Sequence, residues 1–159
     1  MSEIDLLAAE SGLANTGKLD LDGLPDLLGF HLRLAHVAVY RDFTTALAAL
    51  DLTQKQCATL QLIGANPAVS QVDLAATLGT DRATMMAMID RLEQRGFVIR
   101  RRSTEDRRRQ ELYLTDAGQT MLADAKRAID GHERGFKARF TPAELKILVA
   151  ALSRIHNQV

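Results

Sequence analysis

The chain has 159 residues, 47% hydrophobic and 25% charged, with twenty basic residues offset by twenty acidic ones. That length suits one domain with a real core, and the zero net charge excludes a whole-molecule attraction to nucleic acid, so any such attraction must be local. A single cysteine excludes an internal disulfide, and no apolar run approaches the length of a membrane span.

Residues 1–24 read as an N-terminal arm, acidic through Glu3, Asp5, Glu10, Asp20 and Asp22, and punctuated by Gly12, Gly17 and Gly23. The start lacks the basic region and apolar core of an export signal. With one free thiol and no membrane span, the expected location is the cytoplasm.

Residues 25–50 are expected to form one long helix with Pro25 at its first position. Leu28, Leu32, Ala35, Val39, Phe43, Ala46 and Leu50 make one apolar stripe, and Leu27, His31, Leu34 and Ala38 a second beside it. Faces this wide in so small a chain point to a subunit interface. A polar ridge through Gly29, Arg33, His36, Tyr40 and Thr44 completes the helix.

Residues 51–115 carry the densest signals. Thr53-x-x-Gln56 is a capping box that opens a helix to about Gly64, with Cys57, Leu60, Leu62 and Ile63 apolar, and Asn66-Pro67 ends it. Ser70-x-x-Asp73 caps a short helix containing Val72, Leu74, Ala75 and Leu78, closed by Gly79. Thr80 or Asp81 then caps another, whose inward residues are Met85, Met88, Ile89 and Leu92 and whose stop is Gly96. Its outward face holds Arg82, Ala83, Thr84, Met86, Ala87, Asp90 and Arg91. Phe97–Arg101 and Glu111–Leu114 suit two antiparallel strands joined by an arginine-rich loop.

Residues 116–159 supply two more helices. Met121, Leu122, Ala125, Ile129, His132 and Phe136 recur at heptad-like spacing to about Arg139, with Gly131 and Gly135 as weak points. Thr141-Pro142-Ala143-Glu144 is a capping box that starts the last helix, with Leu145, Leu148, Val149, Leu152 and Ile155 apolar.

The expected architecture is mainly α with a small β-hairpin wing: a winged helix-turn-helix, dimerised through its N- and C-terminal helices. Charge follows the same map. From Arg82 to Arg109 nine arginines face four acids, a local +5, whereas the first thirty residues hold six acids and one lysine. The basic region thus coincides with the hairpin and the helix before it, where a DNA footprint belongs. Glycine-rich phosphate loops, HExxH, GxSxG and zinc-spaced Cys/His pairs are all absent, so an enzyme, a cofactor or a metal is not expected.

Over about residues 25–155 the chain resembles the MarR family of bacterial transcription regulators. The resemblance is carried by Leu52-Thr53-x-x-Gln56, Asp73-Leu74-Ala75, Asp81-Arg82-x-Thr84, Asp90-Arg91-Leu92-Glu93-x-x-Gly96, Glu105-Asp106-Arg107-Arg108 and Leu114-Thr115-x-x-Gly118. It implies a homodimer on palindromic double-stranded DNA, with recognition helices in successive major grooves and wings at the flanking minor grooves. It further implies DNA contacts from Arg82, Ala83, Thr84, Met86, Ala87 and Arg91 on the helix, and from Asp106, Arg107, Arg108 and Arg109 on the wing. Arg108 matches the arginine that enters a minor groove, and Asp106 the acid that orients an arginine. The family's residue at Ala87 is often basic or polar; here it is alanine.

Family members commonly bind small aromatic or phenolic effectors, and His31, Arg33, His36 and Tyr40 are the residues this resemblance places at such a site, for an aromatic acid or its coenzyme A thioester. The expected function is therefore a repressor released by that ligand. Two alternatives come from particular residues: a thiol redox switch through Cys57, and a winged-helix protein-interaction module, suggested by the zero net charge and Ala87.

Overall fold

A computed structural model describes residues 19–104 and 110–156. The chain forms two compact units that divide after Ala38. In the first, a 3-10 turn, Leu24–Asp26, carries Pro25, and helix α1, Leu28–Leu47, begins beyond it. The long helix expected from Pro25 is thus shorter. Leu27 adopts an extended conformation (φ −90°, ψ 120°), which no helix can pass through.

In the second unit, α1 ends at Leu47 and a 3-10 turn, Ala48–Leu50, leads to Asp51 in the left-handed region. There follow α2 (Gln54–Ala65), β1 (Val69–Ser70), α3 (Gln71–Thr77), α4 (Arg82–Gln94), β2 (Val98–Arg102), β3 (Gln110–Leu114), α5 (Asp116–Lys137) and α6 (Pro142–His156). Gly131 and Gly135 do not interrupt α5, which runs through both.

The helix starts are set by their caps. Both halves of the Thr53–Gln56 box form, with Thr53 N–H donating to Gln56 Oε1 at 2.9 Å and Gln56 N–H to Thr53 Oγ1 at 3.2 Å. The Thr141–Glu144 box closes in the same way at α6, and its backbone hydrogen bond is the first cause holding the Glu144 carboxyl below the usual range.

The sheet has three antiparallel strands in the order β1-β3-β2. β1 was not expected: its two residues show no alternation, and it exists by backbone pairing, Val69 opposite Leu112 and Ser70 opposite Glu111. β2 and β3 pair as a hairpin with Val98 opposite Leu114 and Arg102 opposite Gln110. Leu112 points inward and is buried, as the alternation requires.

The core joins Leu60 and Ile63 of α2, Leu74 and Ala75 of α3, Met85, Ile89 and Leu92 of α4, Val98 and Leu112 of the sheet, and Ala125 of α5. Leu47 is also fully buried although it lies off the expected α1 stripes, whereas Val72, expected on the apolar face of α3, is exposed. One close approach fixes α5. A Cβ on Gly118 would lie 2.0 Å from the Phe97 carbonyl oxygen, so only glycine lets the start of α5 reach the strand entry.

Candidate nucleic-acid interface

Helices α3 and α4 meet through a short turn with defined bonds at each end. Ser70 Oγ accepts from Asp73 N–H at 3.2 Å and donates to its carboxylate at 2.7 Å, starting α3. Gly79 (φ 57°) takes the left-handed conformation after α3, and Thr80 N–H returns to the Ala75 carbonyl at 2.9 Å. Asp81, rather than Thr80, caps α4. Its Oδ1 accepts from Thr84 N–H at 2.9 Å and its Oδ2 from the Thr84 hydroxyl at 2.6 Å. The Thr84 side-chain bond, then the backbone bond, holds the Asp81 carboxyl below its ordinary range.

The cap fixes where α4 starts, and its buried side chains fix its rotation. Met85, Ile89 and Leu92 are completely buried, and Met88 accepts a bond from the buried Thr59 hydroxyl at 3.1 Å. Arg82, Ala83, Thr84, Met86, Ala87 and Arg91 are all exposed, so the residues predicted for DNA contact share the solvent side of one helix. Thr84, however, has its hydroxyl committed to Asp81.

The arginines divide into two groups. Arg100 on β2 pairs with Asp90 at 2.5 Å and with Glu93, locking the hairpin to α4. Arg95, just past α4, donates to the Asp51 carbonyl at 2.5 Å and the Leu50 carbonyl at 3.0 Å, and its guanidinium lies 4.8 Å from the Phe97 ring centroid. These two belong to the fold. Arg101 and Arg102 stay exposed on β2, with the Arg101 guanidinium 5.1 Å from the Tyr113 ring centroid. Tyr113 donates its hydroxyl to Glu111 at 2.8 Å, which pushes the phenol pKa up. The wing-tip residues Asp106, Arg107, Arg108 and Arg109 lie outside the described residues.

The predicted effector residues stand on α1. In the first unit His31 Nε2 lies 2.7 Å from the Pro25 carbonyl and its ring meets Phe30 edge-on; Arg33 and His36 are exposed. In the second unit Tyr40 is also exposed, and its carbonyl accepts the Thr44 hydroxyl at 2.9 Å. A separate cleft of about 450 Å³ is lined by Ile63 and Pro67, by Tyr113 of β3, and by Leu122 and Lys126 of α5.

The heptad reading missed one polar site. His132 on α5 is buried, with Nδ1 2.5 Å from Asp42 Oδ2 and its ring edge-on to Phe43 and Phe136. Its signal in the sequence was a histidine at an apolar position facing an acid ninety residues away, which spacing alone does not pair.

Cys57 is 2% exposed, and burial pushes its thiol up from the ordinary 9.0 to about 11. Among the described residues there is no group of His, Cys, Asp and Glu that could hold a metal, and no helix is long and apolar enough to cross a membrane.

A capped helix presenting its outer face beside a hairpin with exposed arginines defines a winged helix-turn-helix protein of the DNA-binding kind. The comparisons with known proteins agree. The MarR family model matches residues 52–109. A protein of Thauera aromatica described as a transcriptional regulator for the hcr operon is 34% identical over 132 residues, 82% of this chain and 80% of the relative. The repressor CouR bound to a 23-mer DNA duplex superposes with a TM-score of 0.83 at 37% identity, covering 87% of this chain and 99% of that one. CouR bound to p-coumaroyl-CoA superposes with a TM-score of 0.79 at 34% identity, over 89% of this chain and 100% of that one. The chain belongs to the MarR family of transcription regulators.

Proposed function

We propose that the protein is a homodimeric repressor that binds a palindromic operator and is released by a small aromatic acid or its coenzyme A thioester. The observation that carries the DNA-binding part is the outer face of α4: six predicted contact residues exposed together on a helix whose other side is fixed in the core. Dimerisation is supported by apolar residues left exposed in a single chain, Leu27 and Leu28 near the start of α1, and Ile147, Val149 and Ile155 on α6. Two recognition helices held about 34 Å apart match one turn of DNA. The ligand class is supported by the likeness to CouR bound to p-coumaroyl-CoA, and His31, Arg33, His36 and Tyr40 are the residues assigned to ligand contact.

Release follows from differential affinity. A ligand that binds better to a dimer with another helix separation lowers operator affinity by no more than its preference between the two states. The test is a DNA titration on the intergenic duplex upstream of the protein's own gene, repeated with aromatic acids and their coenzyme A thioesters. Tight binding released by one compound supports the whole reading. Tight binding indifferent to all of them removes the ligand class and keeps the regulator. Absence of binding at low salt favours the protein-interaction module instead.

A further inference from the structure

We propose that α4 reads thymine 5-methyl groups, with Met86 as the residue that sets operator specificity; this rests on the DNA-binding reading above. At 3.6 residues per turn, Ala83 and Ala87 lie opposite the buried Met85, Ile89 and Leu92, and Met86 stands to one side of them on the same exposed face, the face that would meet a major groove. None of the three offers a hydrogen bond able to tell one base from another. Two nearby polar groups are engaged elsewhere: the Thr84 hydroxyl is held by Asp81 at 2.6 Å, and the Asp90 carboxylate is drawn to Arg100 at 2.5 Å.

Met86 is 52% exposed although Met85 and Met88 beside it are buried, so it is the long apolar side chain that α4 turns to solvent. The apolar group that a base pair shows in the major groove is the thymine methyl. An unbranched thioether with three rotatable bonds can follow that methyl on either strand, and the small Ala83 and Ala87 let the helix approach closely. Arg82 and Arg91 lie on either side of this face, where charge suits the phosphate walls rather than the bases. Specificity then comes from methyl groups, and affinity from the cations.

The experiment begins with selection of duplexes from a random pool by the wild-type protein. Each thymine of the selected half-site is then replaced singly by deoxyuridine, which removes only the methyl, and affinity is measured for wild type and Met86→Ala. The expected wild-type loss is about three- to fivefold at one or two adjacent thymines, the size expected for one buried methyl. In Met86→Ala that loss should vanish at the same positions, while the other thymines behave as in wild type. Tight wild-type binding with no uracil penalty anywhere overturns the inference and leaves the repressor reading standing, as does an undiminished penalty in Met86→Ala. A wild-type protein that binds no duplex overturns both. The wild-type uracil series needs no variant, so it stands even if the substitution disturbs the fold.

Discussion

Arg100 on β2 and Asp90 on α4 are joined by a 2.5 Å ion pair, and the other terminal nitrogen of the same guanidinium pairs with Glu93 one helical turn further on. Helix α4 and the first wing strand are therefore held together as one piece. Without the cation, two carboxylates would be left unneutralised beside the exposed face of α4 that is proposed to read DNA. Arg100→Met should lower operator affinity about tenfold or more at moderate salt, by repulsion and by loosening of the wing. The acids are partly exposed, so the stability loss in urea should stay near about 1 kcal/mol. Unchanged operator affinity would show that helix and wing act independently.

The approach of α5 to the sheet gives a sharper expectation. A Cβ at position 118 would meet the Phe97 backbone carbonyl at 2.0 Å, and that carbonyl cannot rotate away as a side chain would. Gly118→Ala should cost about 3 kcal/mol or more in urea or thermal unfolding, by displacing the start of α5 or the entry to β2. Gly131→Ala in the same helix meets nothing within 4 Å and should instead gain about 0.5–1 kcal/mol from helix propensity. A loss at Gly131 would mean that this face is covered by another protomer.

These two positions show what the sequence disclosed and what it hid. Signals confined to one turn were legible: the boxes at Thr53 and Thr141, the cap at Ser70, the left-handed stops at Gly79 and Gly96, and the inward stripe of α4 all form. Signals that depend on a distant partner were not. β1 exists only through its pairing with β3, and Asp42 meets His132 only because α1 and α5 converge there. The arginine count was right as a count but too generous as a footprint. Arg95 and Arg100 are spent on the Leu50–Asp51 turn and on Asp90 and Glu93, because a guanidinium near fixed carbonyls or carboxylates makes several bonds at once. Pro25 misled for a local reason: its fixed φ suits a 3-10 turn as well as a helix start, and Leu27 decides between them.

Burial of Cys57 sets the expectation for oxidants. A thiol pushed up to about 11 holds a negligible thiolate fraction near neutral pH, and the thiolate is the reactive species. Peroxide should leave operator binding unchanged, and an alkylating reagent should label Cys57 only in denaturant; loss of binding on oxidation that Cys57→Ser restores would revive the redox switch. The folded pKa lies above that of an exposed thiol, so folding favours the protonated form. This contribution to stability is complete below about pH 9 and declines as pH rises toward about 11.

The wing tip is open to a test by salt dependence. Arg108 is the residue that the family resemblance assigns to a minor groove. Arg108→Ala should weaken operator binding while leaving the dimer intact, and should reduce the slope of log affinity against log salt by about 1 for each phosphate-side charge removed from the dimeric complex. Affinity and slope both equal to wild type would show that another arginine of the loop makes the contact.

The dimer proposal is best tested where a single chain is indifferent to the change. Ile147 on α6 is 70% exposed, so Ile147→Asp should alter the unfolding free energy of an isolated protomer by no more than about 0.5 kcal/mol. If α6 packs on a partner, the same substitution buries an unpaired carboxylate in an apolar interface, at a cost of several kcal/mol. Sedimentation or light scattering should then find monomers at concentrations where wild type is dimeric, with helix content preserved. Operator affinity should fall by orders of magnitude, because each recognition helix then binds its half-site without the effective concentration that a tethered partner supplies. A variant that remains dimeric and binds as wild type would exclude the Ile147 face of α6 from the interface and leave α1 as the element to test.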